Sequence, residues 1–389
     1  VETAVRHALS RLAAIERASG SPGARAAAQL LARELQLRGA NVSLEPEQVH
    51  GTYWLPIGLA CGLAAASAMG RRAVAVAGGA LASAVVIDEL EIGRRPLRRL
   101  LGRRSALNLL GELTPTHAPT HTLVIHAHHD AANTGLVFHP AIAKLAARVG
   151  GRLIERIGGT PAPMWGAAAG PILVALGAGL GRRRIRGLGA GLSGAYATAM
   201  WDIAQRRPVP GANDNLSGVA GLLMVADALQ RRPCRHVRVL LLSTGSEESF
   251  LEGMEAFAAR HFDDLATDST TFLCLESVGS PELMLLSGEG LLRLRRYPEE
   301  PRRTLERLAK RQGLVLHKPF RYRLATDGQL PLRAGYPTAV ISSIDFYKAP
   351  SNYHWPSDCP DNLCLATVAD AASLTAAFVE ELDHAAAPR

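Results

Sequence analysis

Six acidic or imidazole side chains, widely separated along the chain, stand where a sheet would gather them: His128, Asp214, Glu247, Glu248, Glu276 and His354. Asp214 lies in Gly211-Ala212-Asn213-Asp214-Asn215, and the glutamates follow in Ser246-Glu247-Glu248. An amphipathic helix pattern and an apolar strand pattern lie between the two motifs. Asp214 is therefore expected to open a helix, and Glu247-Glu248 to sit just past the C-terminal end of a strand. Open α/β sheets collect ligands at that end of their strands. Carboxylates delivered there without a Lys or Arg among them repel one another unless a cation holds them, and a divalent metal is the simplest cation.

The remaining donors fit the same chemistry. Strand side chains alternate with period two, so His128-x-Asp130 places two groups on one side, one to bind metal and one to orient it. Sequential carboxylates diverge, so one of Glu247 and Glu248 can ligate a metal while the other reaches the water bound to that metal. Glu276 follows four apolar residues of a strand, where an unpartnered carboxylate would be costly. His354 falls in the loop Asn352-Tyr353-His354-Trp355-Pro356-Ser357-Asp358. Each also has a plainer reading: Asp214 as a helix cap, Glu247-Glu248 as a solvated helix start, His354 as a loop residue. Taken together, two histidines and several carboxylates form the nitrogen and oxygen donor mix of Zn2+, with Mn2+ or Co2+ as replacements.

The elements that must position these groups alternate. Glu2 to Arg17 and Ala24 to Leu37 show helical spacing around the turn cluster Ser19 to Gly23, and Val42 to Val49 alternates like a strand. Strands are predicted at Ala106 to Leu113, Thr122 to Ile125, Val237 to Leu242, Thr271 to Leu275 and Thr338 to Ser342. Helices are predicted after Asp214, from about Leu251 to His261, over Arg303 to Gln312 and over Leu363 to Leu382. This order argues an α/β fold, three layers with helices on both faces of a mixed, largely parallel sheet.

Two apolar hairpins interrupt that order. Trp54 to Gly70 and Ala73 to Ile87 flank Arg71-Arg72; Met164 to Gly181 and Gly187 to Trp201 flank Arg182 to Arg186. Each segment is at or just below the roughly 17–25 residues of a membrane span. Trp54, Trp165 and Trp201 lie at the flanking ends, as interfacial anchors do, and close Gly and Ala allow tight helix packing in lipid. A buried hairpin in a soluble insertion is the other reading. The domain plan is an α/β body at 1–53, 91–160 and 204–389, with hydrophobic hairpins at 54–90 and 161–203. The flanks at Arg94 to Arg104 and Arg148 to Arg156 hold more arginine than the tips, which leans towards a cytoplasmic body.

The net charge of +8 goes with basic clusters at Arg71-Arg72, Arg94 to Arg104 and Arg182 to Arg186 that flank the apolar runs, which suits a membrane boundary. No aromatic-interleaved basic motif points to nucleic acid. Gly189-Ala190-Gly191-Leu192-Ser193-Gly194 matches a dinucleotide fingerprint only by letter, since no strand precedes it. The five cysteines form no disulfide framework, and Cys359 and Cys364 are equally compatible with a local pair and with free thiols. The chain begins at Val1 rather than Met, so the missing signal-peptide pattern carries no weight.

The motifs Gly20-Ser21-Pro22-Gly23, Ala127-His128-His129-Asp130, Gly211 to Ala220, Gly245-Ser246-Glu247-Glu248, Leu275 to Gly279 and Tyr353-His354 agree in order and content with a known family. The sequence resembles the M28 zinc aminopeptidases, co-catalytic two-zinc enzymes, over most of the chain outside the hairpins. The resemblance implies two zinc ions per chain, bridged by Asp214, with His128 and Glu276 completing one site and Glu248 and His354 the other. It implies Glu247 as general base on a metal-bridging water, Asp130 as the group orienting His128, and Tyr353 as a helper of the oxyanion. The implied reaction removes the first residue of a peptide with a free amino terminus. Three features depart from the family: Glu276 stands where Asp is usual, Thr326-Asp327-Gly328 replaces a Ser-Asp-His stretch, and the hairpins are extra. Single-zinc glutaminyl cyclases resemble the same family, so cyclisation or another amidohydrolysis is an alternative, as is a non-catalytic membrane-anchored module. Expected partners are the peptide and, through the hairpins, a lipid membrane, with no nucleic acid; the oligomeric state is open.

Overall fold

The computed structural model describes residues 2–160 and 162–387, so the predicted start of the second hairpin at 161 lies outside the described residues. Two helices come first, α1 (Glu2–Ala13) and α2 (Pro22–Gln36), followed by strand β1 (Asn41–Val49). Helices α3 (Trp54–Ser67) and α4 (Arg72–Leu90) precede β2 (Arg104–Leu113) and β3 (His121–His128). Helices α5 (Pro140–Ile157), α6 (Trp165–Gly179) and α7 (Arg183–Gln205) then lead to α8 (Ser217–Arg231). The chain continues through β4 (Val237–Thr244), α9 (Glu252–His261), β5 (Thr270–Glu276), β6 (Glu282–Glu289) and β7 (Arg295–Arg296). It ends in α10 (Glu299–Arg311), β8 (His317–Tyr322), α11 (Gln329–Arg333), β9 (Thr338–Ile344) and α12 (Leu365–Ala385).

The strands form one mixed sheet in the order β1-β2-β4-β3-β5-β9-β6, with β7 and β8 both pairing β6. β4, β3, β5 and β9 run parallel, β1 is antiparallel to β2 and β2 to β4, and β6 is antiparallel to β9 and β7 but parallel to β8. β5 is buried at every position, as a central strand covered on both faces must be. Helices α1, α2, α8, α10 and α12 pack on one face through Leu31, Val219, Leu305 and Phe378, and α9 covers the other through Met254 and Phe257. The three-layer α/β/α architecture expected from the alternating pattern is therefore present. The sequence reading missed α5, β6, β7, β8 and α11. β8 reads His-Lys-Pro-Phe-Arg-Tyr, an edge strand whose proline and charges hide it.

β3 is the pivot. The chain leaves it to form β4 on one side and β5 on the other, which makes its C-terminal end the switch point where ligands bind in such sheets. In register, His128 pairs Thr244 at the last residue of β4, and His126 pairs Cys274, two residues before Glu276. Three strands thus deliver their terminal residues to one edge.

Although inserted far apart in sequence, α3-α4 and α6-α7 close into a four-helix bundle, α3 against α4 and α7, α6 against α4 and α7. Two glycines permit the close approach: a Cβ on Gly79 would lie 2.7 Å from Ala175 N, and one on Gly189 would lie 2.5 Å from Val174 N. The bundle is apolar outside as well as inside. α3 buries Ile57, Cys61 and Ala64 yet exposes Leu55, Leu59 and Leu63. By length and composition one of the helices, Arg72–Leu90, is sufficient to cross a membrane; Trp54–Ser67 and Trp165–Gly179 are apolar but shorter.

Candidate active site

His128 ends β3, Glu276 ends β5, and Glu247 and Glu248 occupy the turn after β4. Asp214 differs from expectation. It does not open a helix: its φ and ψ are −111° and 88°, and α8 starts only at Ser217. The cause is a web of side-chain bonds that competes with the helix. The Asp358 carboxylate accepts from the backbone N–H of Asn213 at 2.6 Å and of Asp214 at 3.1 Å. Asn215 Oδ1 accepts from Gly218 N at 3.2 Å and Ser277 N at 2.9 Å, which ties this turn to the end of β5. Residues that hold or follow the cluster take left-handed backbone: His354 at φ 50°, Ser277 at 50°, Phe250 at 64° and Leu251 at 63°. Such strain concentrates where surrounding structure fixes functional groups.

The two carboxylate oxygens of Asp214 face two different histidines. Oδ1 lies 3.3 Å from His128 Nε2, and Oδ2 lies 3.2 Å from His354 Nε2. Glu276 Oε1 stands 3.5 Å from the same His128 nitrogen, and Glu248 Oε2 stands 3.3 Å from the His354 nitrogen. His128, Asp214 and Glu276 form one group able to hold a metal ion, and Asp214, Glu248 and His354 form another. Asp214 belongs to both. Glu247 Oε2 lies 3.7 Å from His128 Nε2, and Glu247 joins a third grouping with His128 and Glu248. The donors suit a zinc ion in kind, and two buried atoms among them, His128 Nε2 and Glu248 Oε1, have no hydrogen-bond partner.

The electrostatics carry the same message. Burial pushes the Glu276 carboxyl up to about 7, with His128 pulling it down and Asp214 pushing it further up. Burial also raises Glu247 well above the ordinary range, His128 opposing and Glu248 and Glu276 adding repulsion. His354 would be lowered by burial, but the facing Glu248 and Asp214 outweigh it and raise the imidazole to about 10. Four buried carboxylates and two imidazoles in contact are a site short of positive charge.

Asp130 reaches several elements at once. Its Oδ1 sits 3.4 Å from His128 Nδ1 and accepts from Glu247 N at 3.1 Å. Its Oδ2 accepts from Glu248 N at 3.1 Å and from Ser19 Oγ at 2.6 Å. One buried carboxylate thereby fixes a histidine, the turn of the glutamate pair and the segment leading into α2. That segment's Ser21 caps α2 through Ala24 N at 3.0 Å, with Pro22 beginning the helix.

Sequence reading missed two arginines. Arg17 is fully buried and donates to His129 O at 2.8 Å and Pro210 O at 2.7 Å, stitching the loop after His128 to the loop before Asp214. Arg98 donates to Glu89 at the end of α4 at 2.8 Å and to Ser249 O at 2.7 Å, and pairs with Glu252 at 3.1 Å. It links the bundle to the turn that carries Glu247 and Glu248. Nothing in either local sequence marks them, because their partners lie far along the chain.

A cavity of about 950 Å³ opens over the cluster, lined by Asp214, Glu247, Glu248, Glu276 and His354. Tyr353 lines it with its ring stacked on His354 at 3.8 Å, and Phe138 meets the same imidazole edge-on at 4.6 Å. Asp327, in the departing Thr326-Asp327-Gly328 stretch, is buried and accepts from Thr244 Oγ1 at the end of β4. Cys359 and Cys364 are free thiols.

Known proteins share the fold. Residues 196–379 match the family model of peptidase family M28. No curated protein matches the sequence. Among solved structures, the aminopeptidase from Aneurinibacillus sp. strain AM-1 is similar with a TM-score of 0.59 at 14% identity, covering 98% of this chain and 93% of that one. BSAP, a zinc aminopeptidase from Bacillus subtilis, gives 0.56 at 13% identity over 98% and 95% of the two chains. The glutaminyl cyclase of Bacteroides thetaiotaomicron gives 0.58 at 13% identity over 97% of each. The matched segment, which begins within α7 and ends within α12, contains Asp214, Glu247, Glu248, Glu276 and His354, and the chain is similar in fold to these zinc aminopeptidases.

Proposed function

We propose that the chain is a zinc-dependent aminopeptidase that removes the first residue of peptides. The observation that carries this reading is the two-sided Asp214, whose oxygens face His128 at 3.3 Å and His354 at 3.2 Å. His128, Asp214 and Glu276 would hold one zinc ion and Asp214, Glu248 and His354 the other. Bound there, zinc supplies a Lewis acid for the scissile carbonyl and lowers the pKa of water.

The residues of the chain do the rest. Glu247, held by its backbone N–H on Asp130, takes one proton from the attacking water as the oxygen bonds to the carbonyl carbon. As the C–N bond breaks, Glu247 returns that proton to the amine nitrogen, giving a free amino acid and a shortened peptide. Its burial favours the protonated form and so makes it a ready donor for this second transfer. The carboxylate-rich end of the cavity suits a cationic amino terminus and restricts cleavage to the first bond. Tyr353, whose ring lines the cavity beside His354, would steady the carbonyl oxygen. A glutaminyl cyclase uses the same fold, but a single-zinc reaction leaves the second face of Asp214 without a purpose.

Metal analysis with an aminoacyl-anilide assay tests this reading. Purified protein is expected to hold close to two zinc ions, to lose hydrolysis and several degrees of thermal midpoint on chelation, and to regain both with zinc. Turnover of an N-terminal Gln peptide in place of an anilide, with one zinc per chain, would establish the cyclase instead.

We also infer that the bundle is immersed in lipid. Leu59, Leu81, Leu176 and Leu188, one from each helix, are 52%, 59%, 54% and 65% exposed, a cost a water-facing bundle would not carry. The arginines at 71, 72, 182 and 183 lie at the hairpin tips beyond these leucines. The protein is expected to stay with membranes through an alkaline carbonate wash and to leave them with detergent. Complete release by carbonate would make the bundle a soluble insertion.

A further inference from the structure

The cavity does not end at the carboxylate cluster. It continues to α7, where Ala195, Tyr196, Ala199, Met200 and Ile203 line it. These positions repeat at the spacing of one helical face, so a single side of an inserted helix forms the wall. From Ala195 to Ile203 the wall is about 12 Å long at 1.5 Å per residue. An extended peptide rises about 3.3 Å per residue, so three to four residues fit along it, more than one side chain needs. The wall joins the cluster without a polar break: Phe138 packs in one apolar group with Met200 and Ile203 and meets His354 edge-on at 4.6 Å. On the opposite side Tyr53, at the foot of the bundle, stacks on Phe250 at 4.5 Å, two residues beyond Glu248. α7 is fixed in place there, because Asn133 Nδ2, five residues after His128, donates to Arg206 O at 3.1 Å.

We propose that α7 is a substrate-binding wall, which makes the substrate a peptide whose first three or four residues are apolar, as in a fragment of a membrane span. The inference rests on the aminopeptidase reading for its chemistry but concerns residues outside the reacting centre. The wall selects by burying successive apolar side chains beyond the first residue, and Ala199 at its middle leaves the room they occupy.

The test holds the first residue constant. Zinc-loaded full-length protein in detergent is assayed on Ala-Leu-Leu-Phe and on Ala-Gly-Ser-Gly, reading the ratio of kcat/KM. Wild type is expected to favour the apolar peptide about 10-fold or more, since a pocket gains that much from a single well-buried methylene. Ala199→Phe, which fills the wall, is expected to bring the ratio near one, mainly through KM, with zinc content kept. Leu188→Phe, on the outward surface of the same helix, is expected to keep the wild-type ratio. A wild-type ratio near one, an unchanged ratio in Ala199→Phe, or an equal collapse in Leu188→Phe would overturn the proposal. If wild type cleaves neither peptide, the aminopeptidase reading fails by itself. The wall is then decided by calorimetry, binding of Ala-Leu-Leu-Phe lost in Ala199→Phe supporting it and binding absent from wild type or kept in the variant overturning it.

Discussion

Glu247→Gln is expected to keep its zinc and to lose hydrolysis by about 10²- to 10⁴-fold in kcat, the usual contribution of a general base. The substitution preserves shape and removes only the ability to take a proton. Neither of the two groups that share Asp214 includes Glu247, so ligation should survive. The backbone of the turn should survive too, because Asp130 holds it through the N–H groups of Glu247 and Glu248 rather than through their side chains. KM should stay within a few-fold, since substrate contacts are unchanged. The competing arrangement is the third grouping, His128 with Glu247 and Glu248. If that were the ligand set, the variant would lose metal and activity together. Metal content measured beside kcat separates the two, and near-normal turnover would remove Glu247 from any proton transfer.

The clustered donors are legible in the sequence because the physics that places them is local. Apolar runs ending in His128, Glu276 and the Glu247-Glu248 turn mark strand ends, and strand ends of a parallel sheet share an edge. His354 was visible only through its motif, since a loop histidine carries no periodic signal. What stayed hidden is what acts at a distance. Arg17 reaches Pro210 across the fold, Asp358 folds the Asp214 turn, and Arg98 ties Glu89 to Ser249. The expectation of a helix start at Asp214 failed for the same reason, because Asp358 and Asn215 satisfy the N–H groups that a helix would otherwise claim. The hairpins were read as separate apolar insertions. That they pack on each other through Gly79 and Gly189, and that one face of α7 lines the cavity over the carboxylate cluster, depends on which helix meets which.

Asp214→Ala is expected to empty both metal sites, whereas Glu276→Ala should empty one. The difference follows from the oxygens of Asp214. Without them the first site keeps His128 and Glu276 and the second keeps Glu248 and His354, two protein ligands each. Catalytic zinc is ordinarily held by three. Zinc content should fall from near two per chain to near zero, with hydrolysis lost alongside. In Glu276→Ala the Asp214, Glu248 and His354 group is intact, so about one zinc should remain. The loss in Asp214→Ala is not expected to come from unfolding. The backbone of the turn is held by Asp358 through the N–H groups of Asn213 and Asp214, which the substitution leaves in place. In the metal-free protein Asp214 is held ionised, against its burial, by the His128 and His354 imidazoles that face it, so the substitution removes two favourable contacts. The chelated variant should therefore unfold in one cooperative transition a few degrees below chelated wild type. A single zinc in wild type that Glu276→Ala leaves in place would show that the His128 side holds none, and the bridging role of Asp214 would fall with it.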